Sequence, residues 1–531
     1  KFKLGSKRRL VVLLLIALFL TIPIVSLIFS ISGIDFDNFN YLWDYLLIDY
    51  SLNTIKLVLM TIFFSLIFAV LPAWFISTTD FKLRKVYDLL LYLPLAIPTY
   101  IMAFTYSDIV SFTGPVQTFF RNYSPKFAEI INIDYLQIEF LSILLSLSLY
   151  PYVYTTCRIA FARIGTSYIN LSKTLGLSEL STFFKIVIPI SRAAIFSGLF
   201  LIVMEVLNEY GAVNYFGVNT YTSGIFRAWG PMVDIKTASL LAVFLFIIVA
   251  LFFILERYVN SNYKFNYAIN SGVRTYFPTS TIKYIILNFV CLVPIVFGFV
   301  VPLFHMLKNI FNKSLNHDFF DVLNLTGNTV FVALIASFFI ILFSVIIQFI
   351  NRFSKSRLNK VLGDLVSLSY AMPGAVIGIA FIMFFTVVGT KLDVLMIGSF
   401  LVLIYAYVVM YMAVGISPIK SSFEKQPESI DQTAQSLGLK TIKILNKIYL
   451  PINRPAIIIA FLLCFVDIMK DLPLTLILRP FNFDTLATQT YEFAVEEMLA
   501  RSSIYSFAIV FLGTVMLIIL KNTLNKDIDV S

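Results

Sequence analysis

The chain has 531 residues, of which 59% are hydrophobic and only 13% charged, with a mean hydropathy of +0.88. A soluble protein of this length needs far more charge on its surface, so the composition excludes one and places the chain in a lipid bilayer. The formal net charge of +10 calls for no nucleic-acid partner: it is the basic bias of loops facing an inner leaflet, and no motif interleaving aromatic and basic residues accompanies it.

Spanning a bilayer takes roughly 20 consecutive, mostly apolar residues, and about twelve such runs follow one another. In the first half they fall near 10–31, 54–76, 88–109, 136–161, 193–210 and 236–256. In the second they fall near 282–304, 328–350, 363–387, 394–417, 455–471 and 504–521. The first run follows a basic leader, Lys1 to Arg9, but it exceeds a secretory core of about 7 to 15 residues and has no Ala-x-Ala-like site, so it reads as an uncleaved anchor. Lysine and arginine collect in every second loop: at Lys7, Arg8 and Arg9, at Lys82, Arg84 and Lys85, from Arg257 to Lys283, from Arg352 to Lys360, and at Lys521 and Lys526. The loop from 32 to 52 carries Asp35, Asp37, Asp44 and Asp49 and no basic residue. The positive-inside rule therefore predicts that both termini are cytoplasmic.

Two polar, basic loops are built to one plan. Residues 171–192 (LSKTLGLSELSTFFKIVIPISR) and 433–454 (TAQSLGLKTIKILNKIYLPINR) both place Leu-Gly-Leu thirteen residues before a proline, end in arginine and lie 262 positions apart. Both fall on the predicted cytoplasmic side. In the first, Leu171 and Leu175 share a helix face beside Thr174, Gly176 suits the left-handed residue that ends a helix, and Ser178 can cap a second short helix running to Pro189. In the second, Ile430, Ala434 and Leu437 form one stripe, Gly438 marks the break and Pro451 the return to the membrane. A bland pair of surface connectors would not need two copies in register; two equivalent sockets for a twofold partner would.

The duplication reaches beyond the loops. Asn53-Thr54 matches Asn328-Thr329 and Pro98 matches Pro373 at an offset of 275, while LIVMEVLNEYG matches LLCFVDIMKDLP at 262, pairing Glu205 with Asp467 and Glu209 with Asp471. Six spans per unit is an even number, so the two copies enter the membrane with the same orientation, as parallel repeats about an axis along the membrane normal. The expected organisation is a first transmembrane helix with its outer loop (1–50), a first repeat (51–256, loop 163–190), a cytoplasmic linker (257–281), a seventh helix with its outer loop (282–327), a second repeat (328–521, loop 420–451) and a cytoplasmic tail (522–531).

The paired loops resemble the coupling loop of the inner-membrane permeases of binding-protein-dependent ABC importers, whose usual form is Glu-Ala-Ala, three residues, Gly, nine residues, then Ile-x-Leu-Pro. The first copy keeps Gly176, Ile186 and Pro189 but has Leu171-Ser172-Lys173 at the start; the second keeps Ala434, Gly438, Ile448, Leu450 and Pro451. Over about residues 50–520 the chain is most similar to the fused permeases of the ferric iron branch, through YLPLAIPTYIMAF, FTGPVQTFFR, EYGAVNYFGVNTYTSGIFRAW and DIMKDLPLTLILRPFNFDTLATQTYEFAVEE. The resemblance implies an all-α polytopic membrane protein of about 12 transmembrane helices as two parallel six-helix repeats, the MetI-like fold of type I ABC importers, in a bacterial inner membrane. It implies a homodimeric ATPase docked at Leu171, Thr174, Leu175, Gly176, Pro189, Ala434, Leu437, Gly438 and Pro451, and a periplasmic or tethered substrate-binding protein on the other side. ATP and Mg belong to that ATPase: this chain has no G-x-x-x-x-G-K-[ST] loop to cradle phosphate, so it is read as a transport subunit with no cofactor and not as an enzyme.

Ionisable residues inside spans are costly, which makes them functional candidates. Glu205 and Glu209 lie one turn apart on one helix face, as do Asp467 and Asp471. Glu205 stands roughly 18 Å above the start of its span, just past the middle of a slab about 30 Å thick. Hard Fe3+ prefers oxygen ligands, and four acids would offer it transient, successive sites suited to conduction. An oxyanion would be repelled. The plainer reading leaves Glu209 and Asp471 at the rim in water, lets Lys470 neutralise Asp467 and makes Asn208 a packing hydrogen bond. Tyr210, Tyr215 and Tyr221 read as an interfacial belt, and Pro94, Pro98 and Pro373 as kinks. Cys157, Cys291 and Cys464 are scattered through apolar spans without a disulfide pattern, and His305 and His317 read as solvated residues of an outer loop. The function expected is ATP-driven import of ferric iron by alternating access. Thiamine, a polyamine or 2-aminoethylphosphonate are alternative cargoes, and a secondary ion-coupled carrier, which would not need the paired loops, is the alternative of another class.

Overall fold

The computed structural model describes residues 3–30, 40, 43–164, 172, 174–261, 281–312, 319–353, 372–437, 439 and 441–530. The regular elements among them are helices. Nine are long and apolar enough to cross a membrane, two bent pairs add one span each, and Val11–Leu27 is a shorter apolar stretch. These positions correspond one for one to the twelve expected runs, so the chain is a polytopic all-α membrane protein. Residues 262–280 of the linker expected at 257–281, and the start of the ninth run, up to residue 371, lie outside the described residues.

The first half runs α1 (Lys3–Ser30), α2 (Leu47–Thr78), α3 (Arg84–Leu90), α4 (Thr99–Val110), α5 (Pro115–Tyr123), α6 (Pro125–Ile131), α7 (Ile138–Arg163), α8 (Glu179–Asn208), α9 (Gly211–Tyr215), α10 (Tyr221–Trp229) and α11 (Ile235–Ser261). The second runs α12 (Thr281–Ile310), α13 (Phe319–Phe353), α14 (Gly374–Leu392), α15 (Phe400–Glu424), α16 (Ser429–Ser436), α17 (Ile442–Ile452), α18 (Arg454–Met469), α19 (Pro473–Leu478), α20 (Leu486–Val495) and α21 (Leu499–Val530). The offset between the halves falls from 275 to 262 between α4 and α7, because the first half inserts the α5–α6 hairpin where the second has a short turn after α14.

Two expected spans are broken. The third divides at Pro98, with 91° between Arg84–Ala96 and Thr99–Tyr123. Pro98 (φ −54°, ψ 148°) and its repeat mate Pro373 (φ −58°, ψ 146°) both sit in extended backbone just ahead of a helix, where the fixed proline φ suits the entry and no N–H is lost from the ladder. The eleventh is bent by 75° between α17 and α18, at Asn453. Its counterpart α8 runs unbroken for 30 residues. The difference follows from one position: Pro455 stands where the first copy has Ala193, and its ring clashes with a continuing ladder. The short helix expected to run to Pro189 instead continues through it into the span, whereas the return to the membrane expected at Pro451 lies beside the bend at Asn453. Each proline follows a π turn, Phe183–Val187 or Leu445–Tyr449, and the widened turn absorbs the missing N–H.

Each half lends its leading helix to the other. α1 packs on α14 and touches α13 and α15, whereas α12 packs on α2, α4 and α7. At the far ends of the halves α11 lies on α14 and α21 lies on α4. One ionic cluster ties α21 to α3 and α7: Asp88 accepts from Tyr154 Oη (2.8 Å) and Arg158 Nη2 (2.7 Å), and Lys521 Nζ reaches it from α21 at 3.3 Å. Within a half, small residues let helices approach. A Cβ on Gly198 of α8 would lie 2.8 Å from Val153 Cα of α7, and one on Gly415 of α15 would lie 2.4 Å from Ile340 of α13.

Candidate functional site

Both Leu-Gly loops close by the same bonds. Gly176 has φ +69°, and Leu177 N donates to Ser172 O across it at 3.0 Å, the bond that ends a helix through a left-handed glycine. In the second loop Leu439 N donates to Ala434 O at 3.2 Å over the same spacing. Leu171 and Gly438 themselves lie outside the described residues. Ser178 caps α8 as expected, its hydroxyl accepting from Ser181 N at 3.2 Å. The stripe expected in the second loop divides: Ala434 is 2% exposed, against Ile419, Phe423, Ile444 and Tyr449, while Leu437 points outward at 72% exposed. Leu175 is its mate at 66%, and Leu180 and Ile442 form a second exposed pair at the same offset. Thr174, Pro189 and Pro451 are exposed as well. Arg352 at the end of α13 clamps the second loop. Its Nε bonds Asp431 Oδ2 (2.8 Å), and Nη1 and Nη2 donate to the carbonyls of Phe423 (3.1 Å) and Pro427 (3.0 Å). Tyr449 Oη donates to the other oxygen of Asp431. Around the first loop Lys283 Nζ bonds Glu179 at 2.7 Å.

A cavity of about 890 Å³ lies between the halves, walled by α4, α7, α8 and α11 on one side and α15, α18 and the start of α19 on the other. It runs from Glu209 and Asp471 down to Glu256, Lys420 and Glu424, at the ends of α11 and α15 that lie toward the two loops. Its walls carry six carboxylates (Glu205, Glu209, Glu256, Glu424, Asp467, Asp471) against two lysines, Lys420 and Lys470, so its field favours cations over anions. At the far end the halves meet. Tyr491 Oη donates to Tyr210 Oη (3.0 Å), Asn214 Nδ2 donates to Tyr491 Oη (2.8 Å), and Phe104 packs by Tyr491. Gly374 N donates to Asn208 Oδ1 at 2.6 Å, a bond between repeats.

The four repeat-paired acids all line this cavity but divide by role. Glu209 and Asp471 are buried rather than at a wet rim. Glu209 accepts from Ala212 N (2.8 Å) and from the Thr99 hydroxyl; Asp471 accepts from Thr475 N (3.2 Å), Thr475 Oγ1 (3.0 Å) and Tyr411 Oη (3.0 Å). Each thus caps the short helix that follows it, α9 or α19, at its positive end. Glu205 accepts from Tyr152 Oη at 3.0 Å, and Asp467 pairs with Lys470 at 3.0 Å. Among the described residues no group of three or more His, Cys, Asp or Glu is placed to hold a metal ion. The four acids therefore do not stand as a ladder of open carboxylates, because two are turned to backbone N–H groups and one to an ammonium.

His305 is corrected as well. It is buried on α12, not solvated in a loop, and its Nε2 lies 2.7 Å from Asp108, which also accepts from Asn309 Nδ2 at 3.1 Å. His317 lies outside the described residues. Tyr210 is buried in the far-end contact, Tyr221 bonds Ser51 Oγ at 2.6 Å and Tyr215 accepts from Ser107 Oγ at 3.3 Å. The Asn-Thr pair, noted in the sequence only as a repeat, has a purpose. Thr54 Oγ1 accepts from Tyr221 N (3.3 Å) and Thr329 Oγ1 from Leu486 N (2.9 Å), so the N-terminal part of α2 or α13 satisfies the first N–H of α10 or α20. Thr220 with Ser223, and Thr485 with Thr488, complete a capping box at each of these helices.

This duplicated bundle, with paired loops at one end and a cavity on the axis between its halves, is what a membrane permease requires. The chain belongs to the family of the binding-protein-dependent transport system inner membrane component, which matches residues 65–264 and again 340–525. It is similar to the Fe(3+)-transport system permease protein FbpB 2 of Haemophilus influenzae, 24% identical over 483 residues that cover 88% of each chain. It also resembles the sulfate transport system permease protein CysT of Salmonella typhimurium, 26% identical over 211 residues, 39% of this chain and 73% of that one. A third relative is the molybdate/tungstate transport system permease protein WtpB of Methanocaldococcus jannaschii, 28% identical over 203 residues, 38% and 75% of the two chains.

Proposed function

We propose that this permease is the membrane channel of an ATP-driven importer of ferric iron. A soluble binding protein delivers the ion at the end closed by Tyr210 and Tyr491, and a homodimeric ATPase docks at the loop-bearing, cytoplasmic end. The single observation that carries the cargo is the cavity's excess of carboxylates, six against two lysines, on the path between the halves. A sulfate or molybdate ion would enter this field against repulsion. The match to a ferric iron permease over 88% of each chain supports the same choice.

The docking surface would be the matched exposed pairs, Leu175 with Leu437 and Leu180 with Ile442. Leu180 lies on α8, which is continuous with a cavity-lining span, Ile442 lies on α17, which is hinged to one, and Leu175 and Leu437 sit in the turns just ahead of these helices. A pull on α8 or α17 therefore moves the wall that carries Glu205 or Asp467. With the cavity reaching the loops and sealed at the far end, the conformation described is the inward-facing one of an alternating-access cycle. Both termini, on this reading, face the cytoplasm. The ATPase would supply nucleotide hydrolysis with its Mg, and this chain would supply gates and walls.

The test is uptake of radiolabelled iron into proteoliposomes holding the whole assembly, with labelled sulfate and molybdate in parallel. ATP-dependent iron uptake that falls in E205A and D467A is expected. Uptake of an oxyanion but not of iron would overturn the cargo, and iron uptake unchanged in both variants would remove the acids from the path.

A further inference from the structure

Lys470 breaks the symmetry of the cavity. At the 262 offset it stands where the first half has Asn208, which holds Gly374 N across the interface. Lys470 instead turns back one helical turn to Asp467, Nζ to Oδ1 3.0 Å, on a cavity wall that faces Glu205 of the opposite half. All three side chains line the cavity. Glu205 and Asp467 are repeat mates, and neither is given over to a backbone cap as Glu209 and Asp471 are. Glu205 has the neutral Tyr152 hydroxyl, and Lys470 brings a positive charge to the same cavity.

Two carboxylates facing one cavity in a low-dielectric slab repel each other unless a cation stands near both. A fixed metal there would bind too tightly to move on, since conduction needs sites that release as readily as they accept. An ammonium on a flexible four-carbon stem solves both problems, because it compensates the acids while the cavity is empty and can swing aside.

We propose that Lys470 is a tethered counter-ion and the specificity-determining residue of the pore: it offsets one of the two negative charges of Glu205 and Asp467 in the empty state and is displaced by an incoming multivalent cation. A monovalent ion gains no more from the two acids than the ammonium it displaces, whereas a trivalent ion gains several-fold more, so the lysine selects by charge. The inference rests on the reading that the cargo is a cation.

Tb3+, a hard trivalent probe, is titrated into the purified assembly without nucleotide, reading luminescence sensitised by Tyr152, which lies 3.0 Å from Glu205. Wild type and K470R bind weakly. K470Q, and K470N as a second variant carrying the residue of the first half, bind about tenfold or more tightly because one positive charge near the acids is gone. Adding E205Q to K470Q cancels the gain. Unchanged affinity in both K470Q and K470N, or a gain that survives E205Q, overturns the proposal. The two readings fail separately. Absent iron uptake by the wild-type assembly removes iron as cargo and leaves a Tb3+ gain intact, whereas an absent Tb3+ gain with intact iron uptake removes only the counter-ion.

Discussion

Replacing Arg352 by methionine frees the second loop from the bundle. The eight residues of α16 are too few to hold a helix on their own, so its order depends on what it is tied to. Arg352 makes three bonds there, to Asp431 at 2.8 Å and to the Phe423 and Pro427 carbonyls at 3.1 and 3.0 Å. Its side chain and that of Asp431 are each only 13% exposed. Removing one partner of a buried pair costs about 3–5 kcal/mol. Since this pair is near the surface, the lower end applies, and about 3 kcal/mol is roughly a hundredfold in a local opening equilibrium. Amide hydrogen exchange of the segment 429–436 in the reconstituted assembly should therefore speed up about a hundredfold, while the first loop is unaffected. Iron uptake should fall with ATP hydrolysis retained, because the motor turns but one lever no longer reaches the wall. Protection of 429–436 equal to wild type, or equal loss in both loops, would refute the reasoning.

T54V and T329V should each lower stability by about 1 kcal/mol, the worth of a helix cap, and together by about the sum, because the two sites are in separate halves; thermal unfolding of the purified permease reads this. G198L should weaken the α7–α8 contact, since even the first added carbon would lie 2.8 Å from Val153 Cα, with an overpacking cost of about 1–3 kcal/mol. The measurement is melting temperature alongside uptake, and melting equal to wild type would contradict the close approach seen here.

The sequence made some of this architecture legible and concealed the rest for identifiable reasons. Span positions follow from apolar runs of about 20 residues, a signal that tertiary packing rarely overrides. Gly176 and Ser178 were readable because their roles are local: a left-handed helix end and an N-cap need only neighbouring residues. Pro189 misled because the widened turn before it is not encoded by a distinctive residue type. Pro455, with Ala193 as its counterpart, did carry the signal for the bend of the eleventh span. Glu209 and Asp471 were visible as paired acids, but their work as caps depends on the short helices α9 and α19, which apolar periodicity does not distinguish from a continuing span. His305 lay too near the end of a run to be read as helical and buried, and its partner Asp108 is 197 residues away. Long-range partners of that kind, like Arg352 with Asp431 and Tyr152 with Glu205, leave no local trace. The threonines Thr54 and Thr329 were noted as a repeat without a role, and the fold supplies it.

The central claim is that two equivalent loops receive one motor on the same side of the membrane. Single-cysteine variants L175C and L437C, made in a background lacking Cys157, Cys291 and Cys464, place a thiol on each exposed tip. Bifunctional cross-linking of the intact assembly should join each variant to the ATPase subunit, with a membrane-impermeant thiol reagent blocking both from the cytoplasmic side only. Cross-linking at one tip alone, at neither, or labelling of the two tips from opposite sides would contradict the account.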